Sequence, residues 1–110
     1  MSKHTAIPMR VKKRVWWRDN GLCIICHQPG NPEAHVVSRA QGGRGIEQNI
    51  VTLCRRCHSD YDGARRNELR PIIEDYLKER YENWQREDMI YHKWPRLSGT
   101  DRSGSSTLQD

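Results

Sequence analysis

Four cysteines are the residues of this sequence with the clearest capacity for chemistry. They form two Cys-x-x-Cys pairs, Cys23 with Cys26 and Cys54 with Cys57. Two intervening residues let both thiolates of a pair reach one ion, and four thiolates make a closed tetrahedral site for a structural Zn²⁺. The alternative, four free or disulfide-bonded cysteines, fits a reducing compartment less well. We therefore predict a structural zinc site that joins two distant parts of the chain.

The segment between the two cysteine pairs is 27 residues long and contains further residues suited to chemistry. His35 and Asn49 lie within it, and His58 directly follows the last cysteine. A neutral imidazole, with a pKa near 6.5, can accept a proton from water or bind a metal at neutral pH. Whether these side chains meet depends on the elements that hold them.

Short elements are expected around the cysteines. They are a helix over residues 8–20, a strand over 34–39, a glycine-rich loop over 41–45, a second strand over 49–53 and a helix over 55–62. β-Branched residues favour the strands, and Gly63 is a typical helix terminator. Val11, Val15 and Arg18 would share one face of the first helix.

A longer helix is expected to begin at Asn67 or Arg70 and to reach about Tyr91, before Pro95. Its apolar stripe follows spacings of four, four and three residues, and consists of Ile73, Leu77, Tyr81 and Trp84. We interpret the stripe as core packing, with a dimer contact as the second interpretation.

Composition indicates one small domain. The chain has 110 residues, only 35% of them apolar, and no phenylalanine, so a fold of this size needs a staple such as zinc. We assign residues 1–7 to a flexible arm, 8–96 to the domain with its C-terminal helix, and 97–110 to a Ser- and Gly-rich disordered tail.

Positive charge is concentrated in the part of the chain that contains the cysteines. The net charge is +5, but residues 1–70 hold 13 basic and 6 acidic residues. Such a surplus suggests an anionic partner, most commonly nucleic acid. The longest apolar run, residues 22–26, excludes a transmembrane helix, and no secretory h-region is apparent. We expect a cytoplasmic protein.

Three stretches together resemble HNH endonucleases of the kind with a four-cysteine zinc site, common in phages and prophages. They are the Val-x-x-Arg-Asp-x-x-x-Cys-x-x-Cys entry over residues 15–26, the Ala-His-Val-Val-Ser-Arg-Ala-Gln-Gly-Gly run over 34–43 and the Glu-Gln-Asn-Ile-Val-Thr-Leu-Cys-Arg-Arg-Cys-His run over 47–58. The resemblance implies an α+β fold: a small zinc-stapled ββα-metal unit with a flanking N-terminal helix and a long C-terminal helix.

The resemblance also implies roles for individual residues. The family's first His corresponds to His35, which we predict to be the general base, and its second to His58, a predicted ligand of a catalytic divalent ion. Asp62 lies four residues after His58, on the same helix face, and we predict it as a second ligand. The family's Asn corresponds to Asn49, which would either hold the His35 strand by hydrogen bonds or contact the metal site. Mg²⁺, Mn²⁺, Ni²⁺ and Zn²⁺ all suit such N/O ligands to differing degrees.

One position departs from the family pattern. Many members have Asp or His directly before the general base as a metal ligand, and this chain has Ala34. Glu33, one step away, would point to the opposite face of the strand from Ala34. The ligand set would then be His58 and Asp62, completed by water and phosphate.

Basic residues near the predicted site are candidates for phosphate contacts. The basic residues that flank the site are Arg39, Arg44, Arg55 and Arg56. For any one of them, a role in surface solubility explains its presence equally well. The run Lys12–Arg18 mixes cations with Trp16 and Trp17, which would stack on bases or, for at least one Trp, pack on the zinc lobe.

Three functions are compatible with these observations. The first is a metal-dependent DNA endonuclease that nicks DNA or cuts both strands, leaving 5′-phosphate and 3′-hydroxyl ends as the resemblance implies, with DNA and phage or prophage proteins as partners. The second is a non-catalytic zinc module that binds nucleic acid. The third is a protein–protein adaptor that uses the terminal helix.

Overall fold

A computed structural model describes residues 4–91 as three α-helices and one two-stranded sheet. The elements are α1 (Met9–Arg18), β1 (Asn31–His35), β2 (Ile50–Leu53), α2 (Arg55–Asp62) and α3 (Arg66–Arg80). Short 3₁₀ turns lie at Arg39–Gln41, Glu47–Asn49 and Arg86–Met89. The predicted tail, residues 97–110, and Pro95 lie outside the described residues.

The centre of the fold is a ββα unit. β1 pairs with β2 in antiparallel fashion, with Ala34 opposite Val51 and His35 opposite Ile50. α2 follows β2 directly and packs back on the hairpin, where the Tyr61 hydroxyl donates to the Val36 carbonyl at 2.6 Å. The predicted α+β architecture with flanking helices is confirmed, and α2 has the predicted bounds.

The first strand differs from its prediction. It spans Asn31–His35 rather than residues 34–39, and the second begins at Ile50 rather than at Asn49. After His35, Val36 N–H still donates to the Asn49 carbonyl at 2.8 Å, but the next residue pairs with the Asn49 side chain. A side chain has therefore replaced the backbone ladder, which sequence patterning does not reveal.

α1 spans Met9–Arg18, slightly shorter than predicted, and its Val11 and Val15 are buried as expected. A buried carboxylate anchors its end. Asp19 accepts from Arg18 Nε at 2.7 Å, from Thr52 N–H at 3.0 Å and from the Tyr76 hydroxyl. Burial of this carboxylate is tolerated because each oxygen is paired. These bonds hold α1 against β2 and α3.

α3 ends at Arg80, about eleven residues before its predicted end near Tyr91. The chain leaves the helix because Tyr81 takes an extended conformation and its hydroxyl donates to Glu47 Oε2 at 2.8 Å. Trp84 then folds back, and its indole N–H donates to the Gln48 carbonyl at 2.7 Å. Ile73 and Leu77 are fully buried, which favours core packing over a dimer contact for that part of the stripe.

The arm predicted over residues 1–7 is described from His4 onward. Thr5 is buried, and the Gly45 N–H donates to the His4 carbonyl at 3.1 Å. A Cβ on Gly45 would lie 1.8 Å from the Ala6 carbonyl oxygen, so only glycine permits this approach. No helix within residues 4–91 has the length and apolar character needed to cross a bilayer.

Candidate metal centre and nuclease site

The four cysteines converge on one point. Their Sγ atoms all lie within 4.8 Å of one another, and those of Cys26 and Cys54 are 3.6 Å apart. Tetrahedral zinc with bonds of about 2.3 Å requires sulfur atoms roughly 3.8 Å apart. The donor set therefore fits a structural zinc ion. Among residues 4–91 it is the only group of three or more His, Cys, Asp or Glu side chains that meets this distance.

Local structure brings the two pairs together. The first pair lies in a tight turn, held by Cys23 N–H donating to the Gln28 carbonyl at 2.7 Å and by Ile24 N–H donating to the Thr52 carbonyl at 3.1 Å. The second pair opens α2, where Cys54 is the N-cap and its Sγ accepts from Cys57 N–H at 3.4 Å. Zinc would join the start of α2 to the turn after α1.

The thiols differ in how readily they lose a proton. Burial raises the pKa of Cys23, but hydrogen bonds from the backbone N–H groups of Cys26, Cys54 and Ile25 outweigh burial and lower it to about 7. Burial and the neighbouring thiols raise the pKa of Cys57. One thiolate therefore forms easily, whereas the full set needs a cation to neutralise it.

A cavity of about 470 Å³ lies beside the ββα unit. β1 contributes Glu33 and His35, α2 contributes His58 and Asp62, and α1 contributes Lys12. Arg39, Ser38, Ala6 and Ile7 complete its lining. The structure thus brings together both predicted histidines, the predicted aspartate and one of the four predicted arginines.

His35 has a defined tautomer in this cavity. Its Nε2 lies 2.8 Å from the Thr5 carbonyl oxygen, and a carbonyl can only accept, so Nε2 bears the proton and Nδ1 is the basic nitrogen. Burial lowers the pKa of His35 and, with nearby Arg39 and His58, outweighs the opposing effect of the Thr5 carbonyl. The imidazole is therefore neutral at neutral pH.

His58 and Asp62 form the metal-binding candidate in the cavity. His58 Nε2 and Asp62 Oδ2 are 3.4 Å apart, one turn from each other on α2. An imidazole nitrogen and a carboxylate oxygen at this separation suit one divalent cation. With these two protein donors, water and phosphate would have to fill the other coordination positions.

The position before His35 does not reach the cavity. Ala34 is fully buried in the core on the other face of β1. Glu33 lines the cavity with His35, as the alternation of a strand predicts, and its Oε2 pairs with Lys12 Nζ at 3.3 Å. Sequence reasoning missed Lys12, because only the docking of α1 places it beside β1.

Asn49 is held in a network of hydrogen bonds. It is fully buried, its Oδ1 accepts from Val37 N–H at 2.9 Å, and its Nδ2 donates to the Val37 and Arg44 carbonyls at 3.2 and 2.9 Å. These contacts support the first of the two roles left open above, in which Asn49 holds the segment after His35 in place.

Replacing Asn49 with leucine is expected to lower the free energy of unfolding by about 2–4 kcal/mol, because a buried N–H and two carbonyls lose their partner. Chemical denaturation followed by circular dichroism measures this. Gln48→Leu is the matched control, since only its backbone carbonyl accepts the Trp84 bond. An Asn49→Leu protein as stable as the control would contradict the role.

The predicted phosphate contacts are spread over the surface. Arg39 lines the cavity. Arg55 and Arg56 are exposed in the first turn of α2, and exposed Arg44 donates to the Asp88 carbonyl at 3.4 Å. Arg39 is therefore the one of the four with direct access to the cavity.

The fold and the site together define a class: a small ββα unit stapled by four cysteines, with two histidines facing one cavity. A family model described as HNH endonuclease matches residues 23–62, from the first cysteine to Asp62. Residues 23–62 are therefore similar to HNH endonucleases. The match covers less than half of the 110 residues, and α1 and α3 lie outside it. No curated protein matches the chain.

Proposed function

We propose that this protein is a metal-dependent endonuclease that hydrolyses DNA phosphodiester bonds, with His35 as the general base. The observation that supports this most is the meeting of a neutral His35 from β1 with the His58–Asp62 pair from α2 in one cavity. On this proposal residues 8–96 form the nuclease domain, and the protein acts on DNA in the cytoplasm of a bacterial or phage-infected cell.

Hydrolysis requires an activated water, charge stabilisation at the phosphate and relief for the departing 3′ oxygen. His35 Nδ1 accepts the proton of the attacking water while the Thr5 carbonyl holds Nε2–H and fixes the ring. Arg39 and Lys12 attract the phosphate to the cavity. His58 and Asp62 would hold a divalent cation, which supplies Lewis acidity when bound. Because the 3′ oxygen is the leaving group, hydrolysis leaves 5′-phosphate and 3′-hydroxyl ends.

A second candidate is a non-catalytic zinc module that binds nucleic acid. The observation that favours it is the burial of Ala34, which leaves the cavity without the ligand that many HNH proteins have before the general base. This candidate predicts salt-dependent DNA binding and no cleavage under any metal.

Nicking of supercoiled plasmid distinguishes the two. We expect relaxation that requires added Mg²⁺, Mn²⁺ or Ni²⁺, and a loss of roughly 100-fold or more in His58→Ala, since a metal ligand contributes several kcal/mol to the transition state. Zinc content is measured before and after the assay, so that loss of the structural ion is not mistaken for loss of the catalytic one.

His27→Asn is the matched control for this experiment. It removes an exposed imidazole on the cysteine turn, outside the cavity, and asparagine tolerates the positive φ of 67° found there. Unimpaired nicking by a folded, zinc-loaded His58→Ala protein would refute the assignment. DNA binding without cleavage by the wild type would favour the second candidate.

A further inference from the structure

The outer face of α1 presents an unusual set of exposed side chains. Arg10, Lys13, Arg14 and Trp17 follow the spacing of one helical face and are all exposed. Trp17 is 74% exposed, which is rare for so large an apolar side chain. Its ring is nearly perpendicular to that of Trp16, at a centroid distance of 5.6 Å. Because Trp17 is so exposed, the alternative of packing on the zinc lobe does not apply to it.

Trp16 packs between the rest of the fold and Trp17. A Cβ on Gly21 would lie 2.7 Å from the Trp16 ring, so the ring lies directly on that glycine at the entrance to the cysteine turn. Trp16 is thereby placed against the fold, and Trp17 is held next to it on the solvent side.

The charge of this face is entirely positive. α1 contains five basic and no acidic residues. Two of the five, Arg18 and Lys12, pair with Asp19 and Glu33. Arg14 touches Glu47 at 3.3 Å but remains 67% exposed. Within residues 4–91 no carboxylate forms an ion pair with Arg10 or Lys13. An exposed aromatic ring among cations suits a base flanked by phosphates.

The outer face lies on the same helix as one wall of the cavity. Lys12 lines the cavity and Lys13 follows it on the outer face. Lys12 and His35 line the same cavity, so a strand bound along α1 would lie beside it. A second copy of this chain is a poor occupant, because it would bring the same cations face to face.

We infer that the outer face of α1 binds a single-stranded stretch of DNA, with Trp17 stacked on one base and Arg10, Lys13 and Arg14 contacting phosphates. The bases of a duplex are already stacked on each other, so an accessible base requires an unpaired segment. This inference deepens the proposed function by naming the substrate class as DNA with an unpaired stretch beside the cleavage point. Its test measures binding alone.

Fluorescence anisotropy of a labelled oligothymidylate, compared with a duplex of equal length, provides the test. All proteins bear His35→Ala so that cleavage does not interfere. Trp17→Ala is expected to weaken single-strand binding roughly 10-fold or more and duplex binding much less. Met9→Ala removes an exposed apolar side chain from the same helix and is expected to change neither.

A second variant tests the phosphate contacts. Lys13→Ala is expected to weaken binding of both the single strand and the duplex. It should also reduce the slope of log affinity against log salt by about 0.7 for the single strand. The tryptophan emission of the protein should fall on binding, and Trp17→Ala should remove most of that change.

Equal affinity of Trp17→Ala and Met9→Ala for the single strand would overturn the inference. So would an equal loss of affinity for both ligands, or a dimer of the His35→Ala protein in sedimentation that Trp17→Ala dissociates. Failure of the proposed function gives a different result: the His35→Ala protein would bind the single strand through Trp17, and the wild type would not nick plasmid.

Discussion

His35→Ala is expected to lower the rate of plasmid nicking by roughly 10²- to 10⁴-fold, the contribution typical of a positioned general base. The Nε2 of His35 is bound to the Thr5 carbonyl, so the imidazole is oriented before substrate arrives. Single-turnover nicking with excess protein measures the chemical step. Zinc content should remain that of the wild type, because His35 is not a ligand in the cysteine cluster. DNA affinity should also remain that of the wild type, because the substitution removes a neutral side chain.

The pH dependence of the same rate provides an independent check. The neutral imidazole is the active form, and burial lowers the pKa of His35. The rate should therefore rise with pH, and the midpoint of this rise should lie below the ordinary histidine value of about 6.5. Added imidazole should partly restore nicking by His35→Ala. A wild-type rate in His35→Ala, with the same pH profile, would show that another group removes the proton.

Removal of zinc is expected to unfold the protein. Apparent binding energies of structural zinc sites are about 10–16 kcal/mol, whereas whole domains are stable by about 5–15 kcal/mol. The cysteine cluster joins the turn after α1 to α2 in a chain without phenylalanine. A strong chelator should therefore abolish the cooperative thermal transition seen by circular dichroism, and Cys57→Ser should prevent folding at 37 °C.

Ser59→Ala is the matched control, because it makes a change of similar size at an exposed site two residues along α2. Its melting temperature and zinc content should match the wild type. Re-addition of zinc to the chelated wild type should restore the transition. A zinc-free protein that still melts cooperatively at the original temperature would show that the hydrophobic core alone is sufficient.

The parts of the fold that were predicted correctly from the sequence depend on local patterns. The two Cys-x-x-Cys pairs predicted a four-sulfur cluster because two residues of spacing fix the geometry of each pair. α2 has the predicted bounds, since Cys54 caps its start and Gly63 follows its end. Alternation along β1 put Glu33 and Ala34 on opposite faces, as predicted, but the cavity lies on the face of Glu33 and His35.

Long-range contacts decided the rest. β1 ends earlier than predicted because the Asn49 side chain replaces the ladder at Val37. α3 ends at Arg80, followed by Tyr81 bonded to Glu47 and Trp84 bonded to Gln48, partners more than thirty residues away in sequence.

In the cavity too, sequence and tertiary structure determined different features. The order of residues determined which side chains were suited to catalysis, since imidazole and carboxylate chemistry belongs to the residue type. Tertiary structure decided which of them meet: α1 docking placed Lys12 at the cavity, and the approach of Ala6 to Gly45 placed the Thr5 carbonyl on His35. These contacts depend on buried hydrogen bonds between distant segments, whose geometry no local pattern specifies.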